Sequence, residues 1–132
     1  MSAPATVLLV EDGEADRYIA VRALARAWPD TEILHARDGR GAVELLEAVE
    51  CVGTRSPELI VLDLHMPRMN GHQFLAARYA DPDVPVPAVA VLTSSDRPED
   101  RASVGRYRCV QAYLLKPLRV EALERLADST AA

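Results

Sequence analysis

The stretch Glu58-Leu59-Ile60-Val61-Leu62, followed at once by Asp63, decides how this chain folds. A run of apolar residues without polar alternation is typical of a short strand that is buried on both faces. Residues 6–10 and 87–92 have the same character. Strands covered on both faces belong to a parallel sheet with helices on either side. The sequence therefore predicts an α/β fold.

Weaker strand patterns and amphipathic segments fill the rest of the chain. Two further strands are predicted at 31–36 and 111–115. The first helix is predicted to begin near Glu14, with its apolar side formed by Ile19, Ala23, Leu24 and Ala27. Four more helices are predicted, one after the Asp38-Gly39 cap and the others over 72–80, 96–107 and from Pro117 to about Ala127. Five strands alternating with five helices predict a parallel sheet covered on both faces.

Length and composition exclude several classes of protein. A chain of 132 residues fits one domain, with a core over about 6–127 and no output domain. The net charge of −5 argues against electrostatic binding to the phosphate backbone of a nucleic acid, so we expect no nucleic-acid partner. We find no leader sequence and no membrane-spanning run, so we expect a cytoplasmic protein with its two cysteines, Cys51 and Cys109, free.

Polar residues follow the predicted strands at the edge where parallel sheets bind ligands. Glu11-Asp12 comes after the first strand, Asp63 after the third, Thr93-Ser94 after the fourth and Lys116 after the fifth. Crowded carboxylates require a cation, and hard oxygen ligands suit Mg²⁺. A carboxylate beside such an ion can accept a phosphoryl group, whose charge an ammonium and a hydroxyl then help to neutralise.

Lys116 is the single lysine among 15 basic residues. The other basic residues are all arginines. At this strand end the chain instead has an ammonium, a compact charge that the larger guanidinium group of Arg does not replace well. The alternative is that one lysine falls at this position by chance, which composition alone leaves open.

Four motifs resemble those of response-regulator receiver domains. They are Val-Glu-Asp at 10–12, Leu-Asp-Leu-His-Met-Pro-Arg-Met-Asn-Gly at 62–71, Leu-Thr-Ser at 92–94 and Tyr-Leu-Leu-Lys-Pro at 113–117. Each motif alone is weak, but together they span almost the whole chain in the family's order. The resemblance implies a flavodoxin-like, doubly wound (βα)5 fold with the parallel strands in the order 2-1-3-4-5.

The resemblance also implies a role for each matching residue. Asp63 corresponds to the phosphorylated aspartate, and Thr93, Tyr113 and Lys116 to the groups that respond to the phosphoryl group. The expected ligands of Mg²⁺, or of Mn²⁺ in its place, are Glu11 (mostly through water), Asp12, Asp63 and the backbone carbonyl of His65. The Lys116-Pro117 bond is expected to be cis. The side chains of His65 and Ser95 are expected to tune the lifetime of the phosphoryl group.

Several of these residues could instead have a purely structural role. Glu11 and Asp12 could cap the first helix, and Thr93-Ser94 the fourth. Tyr113 could be an ordinary half-buried strand residue. The remaining residues are expected to play structural or solvated roles: His65 and His72 as loop histidines, His35 as a strand residue, and Pro67 and Gly71 as turn formers.

The resemblance implies partners as well. We expect a histidine kinase to donate the phosphoryl group and to dock on the first helix, including Asp16, Arg17 and Ala20. Residues 11–17 and 93–96, with Asp100 further on, are similar to those of regulators paired with bacterial phytochrome kinases. The face of the fourth helix, fifth strand and fifth helix is expected to form a homodimer or to meet a downstream phosphotransfer or target protein. That face carries charges of both signs, which could instead be a solvated surface.

Two functions of other classes remain as alternatives. One is a receiver-like adaptor that works without phosphorylation. The other is a hydrolase with an aspartyl-phosphate intermediate. A hydrolase would need an acid/base carboxylate just beyond Asp63 and a substrate cap, whereas Leu64-His65 follows and no cap insertion is present.

Overall fold

Five strands and five helices alternate along the chain in a computed structural model. It describes residues 3–53, 56–81, 83 and 87–131, with the side chains of 129–131 left out. The strands are β1 (Thr6–Val10), β2 (Glu32–Ala36), β3 (Leu59–Leu62), β4 (Ala88–Thr93) and β5 (Val110–Leu115). The helices are α1 (Glu14–Ala27), α2 (Gly39–Val52), α3 (Gly71–Arg78), α4 (Pro98–Gly105) and α5 (Val120–Ala131).

The strands form one parallel sheet in the order β2-β1-β3-β4-β5. The doubly wound fold and the strand order are therefore confirmed. Strand order reverses at β1, whose neighbours are β2 and β3. This reversal opens a crevice beyond the carboxyl ends of the strands, where such sheets bind their ligands.

Each face of the sheet has its own hydrophobic core, because successive side chains of a strand point to opposite faces. Leu8, Val10, Ile60 and Leu62 pack with α2 and α3 residues such as Leu46, Phe74 and Leu75. Val7, Leu9, Leu59 and Val61 pack on the other face with Leu24 of α1, Leu123 of α5 and Trp28, which directly follows α1. The apolar runs of the sequence are thus explained by burial on both faces.

The buried side of α1 agrees with our prediction at Ala23, Leu24 and Ala27 and differs at one position. Ala20, Ala23 and Leu24 are its buried residues, whereas the side chain of Ile19 is 41% exposed. Ile19 was therefore wrongly assigned to the apolar side. Ala20 is fully buried, so it was wrongly included in the expected docking surface, to which exposed Tyr18 and Ile19 can contribute instead.

α4 begins two residues later than predicted. Arg97 has an extended backbone, as the residue before a proline prefers, and Pro98 occupies the first turn of the helix. The backbone N–H of Arg97 donates to Oγ of Ser95, which keeps the preceding residues in a loop. The helix also ends earlier than predicted, at Gly105.

The boundaries of α2 and α3 also differ from our predictions. α2 continues through Cys51 to Val52, and its C-cap is Gly53, with a positive φ of 74°. α3 runs over Gly71–Arg78 rather than 72–80. Both cysteines are free, Cys51 exposed and Cys109 buried. No helix among the described residues is long and apolar enough to span a bilayer.

Candidate functional site

Main-chain hydrogen bonds fix the polar residues at the carboxyl edge of the sheet. The N–H of Glu11 donates to the carbonyl of Ala36, and the N–H of Asp63 donates to that of Val10, both at 3.0 Å. The N–H of Lys116 donates to the carbonyl of Thr93 at 2.9 Å. Because the ladder continues one residue beyond each strand, the side chains that follow start from fixed positions. The structure therefore brings together Glu11, Asp63, Thr93 and Lys116.

Glu11, Asp12 and Asp63 form a cluster of carboxylates. One oxygen of each lies within 4.8 Å of the others, and this group stands out among the described residues as able to hold a metal ion. Glu11 and Asp63 are 2% and 4% exposed, whereas Asp12 is open to solvent. Burial raises the pKa of Glu11 against the opposing effects of Lys116 and the Gly13 N–H, and the nearby charge of Asp63 raises it further. A cation would relieve this crowding.

The atoms of the cluster fit a hard divalent cation. Oε1 of Glu11 is buried and lies 2.8 Å from Nζ of Lys116, which offsets part of the negative charge of the cluster. Carboxylate oxygens, with the open side at Asp12 leaving room for water, are the donors that Mg²⁺ and Mn²⁺ prefer.

Lys116 lies among three carboxylates. Its Nζ is 2.8 Å from Oε1 of Glu11, 2.9 Å from Oδ2 of Asp16 and 3.3 Å from Oδ2 of Asp63. Burial by itself would lower the pKa of this ammonium, but the three carboxylates outweigh burial and raise the pKa above its ordinary value. Lys116 is therefore charged at every physiological pH. The Lys116-Pro117 peptide bond is cis.

Thr93 and Tyr113 are connected through the loop between β4 and α4. Thr93 is fully buried, and its Oγ1 accepts the N–H of Ser95 at 3.2 Å. The hydroxyl of Tyr113 donates to the carbonyl of Ser95 at 2.9 Å, and the guanidinium of Arg101 lies 4.5 Å from the centre of its ring. Burial raises the pKa of Tyr113, which keeps this donor protonated. The hydroxyl of Tyr113 therefore bonds the loop beside Thr93.

Asp100, which sequence reasoning did not single out as part of the site, joins this loop to the two histidines. Its Oδ2 accepts Oγ–H of Ser95 at 2.5 Å, and this bond lowers the pKa of the carboxyl. Nε2 of His72 lies 3.4 Å from Oδ1, and Nε2 of His65 lies 3.8 Å from Oδ2. Ser95 and His65 thus share one partner.

The three histidines occupy different environments. His65 is a loop residue with a 56% exposed side chain, and its N–H donates to Oδ1 of Asp63 at 3.2 Å. The prediction of His72 as a loop residue is wrong, since it lies in the first turn of α3. Its Nδ1 is 3.2 Å from Oγ of Ser103. His35 lies on β2 as predicted, with Nε2 2.9 Å from the carbonyl of Glu11.

Two capping interpretations are wrong. The N-cap of α1 is Gly13 without a side-chain cap, and Glu11 instead accepts the Gly13 N–H, at 3.0 Å. The N-cap of α4 is Arg97, so neither Thr93 nor Ser94 has that role. Neither α1 nor α4 therefore has a side-chain cap from these residues.

The loop from His65 to Asn70 is held against the N-terminus of α2. Arg68, with a positive φ of 63°, places Nε and Nη2 each 2.7 Å from Oδ2 of Asp38. The N–H of Gly39 donates to the carbonyl of Met69 at 2.8 Å. Asp38 also accepts the N–H of Gly41, which makes it the cap of α2 that we predicted. One buried carboxylate therefore fixes both a helix end and the loop beside Asp63.

Replacing Asp38 is expected to lower stability in a pH-dependent way. The bond from Arg68 lowers the pKa of Asp38 below its ordinary value of 3.8. The resulting stabilisation is complete above that value and is lost as the pH falls through the lower pKa of the folded state. In Asp38→Asn the cap survives, so its deficit in unfolding free energy against wild type should be present at pH 7 and vanish in acid. Asp38→Ala should lose about 1 kcal/mol more, because the cap is also removed.

Urea unfolding of the wild type and both variants from pH 7 down to pH values below about 3 would check this. An Asp38→Asn deficit that stays constant with pH would contradict the ion pair as its cause.

Gly71, expected to form a turn, has a more demanding role. A Cβ at this position would lie 2.5 Å from the carbonyl oxygen of Asp63 and 2.8 Å from Cα of Leu64. The backbone N–H of Gly71 donates to the carbonyl of Leu64 at 3.0 Å. The start of α3 therefore touches the backbone of Asp63 at a distance that only glycine allows.

Residues 7–128 match the family described as the response regulator receiver domain. The chain belongs to this family. It is 33% identical to the probable methanogenesis regulatory protein FilR2 of Methanothrix harundinacea, over 95% of this chain and 80% of that protein. It is also 33% identical to response regulator Rcp1 of Synechocystis, over 95% and 85%.

Solved structures of receivers share the fold of this chain. The Mn²⁺-bound form of Rcp1 aligns with a TM-score of 0.74 and 31% identity, over 97% of this chain and 93% of that one. The phosphorylated cyanobacterial phytochrome response regulator RcpA aligns with a TM-score of 0.75 and 29% identity, over 95% and 90%. Some relatives of this receiver are named as phytochrome response regulators, such as RcpA, and others are not, such as FilR2.

Proposed function

We propose that the chain is a single-domain response regulator that accepts a phosphoryl group from a histidine kinase onto Asp63, in a reaction that needs Mg²⁺. The observation that carries this proposal is the position of Asp63. Its carboxylate belongs to the metal-binding cluster and also lies within reach of the Lys116 ammonium. A nucleophile placed between a cation site and an ammonium has what phosphoryl transfer requires of a protein.

The reaction makes one bond and breaks one bond. An oxygen of Asp63 attacks phosphorus, the bond from phosphorus to the kinase histidine nitrogen breaks, and the imidazole leaves with that electron pair. Glu11, Asp12, Asp63 and the carbonyl of His65 would hold the cation, for which Mn²⁺ is an alternative. The bound cation supplies positive charge that offsets the crowded carboxylates and the phosphoryl oxygens.

Thr93 and Tyr113 would carry the response. Thr93 Oγ1 would turn toward the phosphoryl oxygens and give up its bond from the N–H of Ser95. Since Tyr113 bonds the carbonyl of the same residue, a new loop arrangement would change the position of its ring. This is a population shift between two arrangements of the loop and the ring. His65 and Ser95 would tune the phosphoryl lifetime.

A phytochrome-type histidine kinase is the proposed donor. The name of RcpA associates that relative with a cyanobacterial phytochrome, and residues 11–17 have the pattern expected for such regulators. Docking would use the exposed side of α1, where Tyr18 is 62% exposed. A cytoplasmic location follows from this partnership. Phosphotransfer from a set of purified kinases would test it: a phytochrome kinase should be fastest, and equal transfer from unrelated kinases would contradict the assignment.

The face formed by α4, β5 and α5 is the proposed surface for a homodimer or for a downstream phosphotransfer or target protein. Leu115, the last residue of β5, is 45% exposed. Several of its charges are already paired within the chain, Arg97 with Glu99 and Arg101 with Asp96. The exposed side chain of Leu115 therefore supports association better than ion pairs between two copies of the chain would.

Acetyl phosphate tests the function directly. With Mg²⁺ the protein should gain the mass of one phosphoryl group, and EDTA should prevent the gain because the carboxylates then lack their counter-charge. Intact-protein mass spectrometry measures both. Light scattering on the same samples reports whether phosphorylation produces a dimer. A folded protein that gains no phosphoryl mass with Mg²⁺, from acetyl phosphate or from any kinase, would instead be the phosphorylation-independent adaptor.

A further inference from the structure

α1 reaches into the site through Asp16. This residue lies in the first turn of the helix, and its Oδ2 is 2.9 Å from Nζ of Lys116, 100 residues further along the chain. The contact between Lys116 and Asp63 is longer, at 3.3 Å. The ammonium is therefore held more closely by a helix residue than by the proposed phosphoacceptor.

The contact with Asp16 differs from an ordinary surface ion pair. The side chain of Lys116 is only 14% exposed, so water screens its charge weakly, although Asp16 is 47% exposed. An ammonium has three N–H groups, and the carboxylates of Glu11, Asp16 and Asp63 lie within reach of all three. Without Asp16, one N–H would be free to turn toward Asp63 or Glu11.

Asp16 also changes the charge that a cation meets. Glu11, Asp12 and Asp63 together carry three negative charges, and Lys116 reduces the total to minus two. Asp16 restores it to minus three while lying outside the group whose oxygens could bind a metal ion directly. Its effect would therefore pass through Lys116 rather than through coordination.

We propose that Asp16 is a positioning residue for Lys116. Its carboxylate draws the ammonium toward α1 and offsets its charge, which leaves Asp63 available to a divalent cation and to the phosphoryl group. This inference rests on the proposed function and extends it, because it links the site to the helix on which the kinase is proposed to dock. A partner that contacts the exposed part of Asp16 would thereby act on Lys116.

Mn²⁺ binding to the unphosphorylated full chain tests the inference without a phosphoryl donor. Asp16→Asn should weaken Mn²⁺ binding by about three- to thirty-fold in isothermal titration calorimetry, because the ammonium then opposes the cation without compensation. Asp30→Asn, which removes the same charge from an exposed position after α1, should change the affinity by less than about two-fold. Thermal unfolding in EDTA should show that both variants are folded.

A second measurement separates positioning from simple loss of charge. In a Lys116→Met background, Asp16→Asn should change the Mn²⁺ affinity by less than about two-fold, since the residue through which Asp16 acts is gone. An equal effect in both backgrounds would overturn the proposal, as would equal affinities of wild type and Asp16→Asn. A wild-type chain that binds no Mn²⁺ would overturn this inference together with the metal dependence of the proposed function. Phosphorylation of Asp63 with normal metal binding but no Asp16 effect would overturn this inference alone.

Discussion

Asp63→Asn is expected to abolish phosphorylation completely. The amide has nearly the shape of the carboxylate but lacks the anionic oxygen that must attack phosphorus, so no aspartyl phosphate can form. Neither acetyl phosphate with Mg²⁺ nor a cognate kinase should add phosphoryl mass to the variant. Intact-protein mass spectrometry against wild type, run in parallel, is the measurement.

The fold should survive this substitution, because it removes one negative charge from a crowded, buried cluster. In EDTA, we expect Asp63→Asn to unfold at a temperature no lower than that of wild type, and circular dichroism would check this. Asp30→Asn is the matched control and should be phosphorylated normally. Phosphoryl mass retained by Asp63→Asn, and located on exposed Asp12 by peptide mapping, would contradict the assignment of the acceptor.

Gly71→Ala is expected to destabilise the protein strongly, although it adds only one methyl group. The new Cβ would lie 2.5 Å from the carbonyl oxygen of Asp63 and 2.8 Å from the Leu64 Cα, and both atoms belong to the backbone. Since the N–H of Asp63 is bonded to β1, neither side can yield cheaply. Overpacking of this kind costs about 1–3 kcal/mol, which urea unfolding would measure. We also expect slower phosphorylation, because the clash displaces the backbone of the acceptor.

Gly105→Ala is the matched control for that experiment. Gly105 is the last residue of α4, and a Cβ there would meet no atom within 4 Å among the described residues. The same substitution should therefore be neutral, or stabilise the protein by up to about 1 kcal/mol, because alanine favours helices. Equal losses from Gly71→Ala and Gly105→Ala would contradict the close approach at Asp63.

The positions of the main site residues were predictable from the sequence because they depend on the backbone. Apolar runs locate the strands, parallel pairing brings their carboxyl ends to one edge, and the next residue on each strand then lies in the site. Predicting the positions of Asp63 and Lys116 required no other information. The Asp63 to Lys116 contact spans 53 residues, yet each partner is placed by its own strand.

Other contacts could not be predicted because they depend on helix rotation and loop shape. The hydrophobic pattern of α1 did not decide which of the neighbours Ile19 and Ala20 is buried. The contact of Asp16 with Lys116 joins residues 100 positions apart and depends on how α1 packs on the sheet. Arg68, which bonds Asp38, has a left-handed backbone that no local pattern indicates in a non-glycine residue.

The extension of the strand ladder into the site has a consequence for a chain that is still being synthesised. Asp63 leaves the ribosome long before Lys116, and the ammonium reaches the carboxylate only when β5 has paired with β4. If phosphorylation of Asp63 needs that ammonium, a nascent or truncated chain that lacks β5 is not phosphorylated by its kinase. The signalling population would then contain only molecules that have completed their sheet.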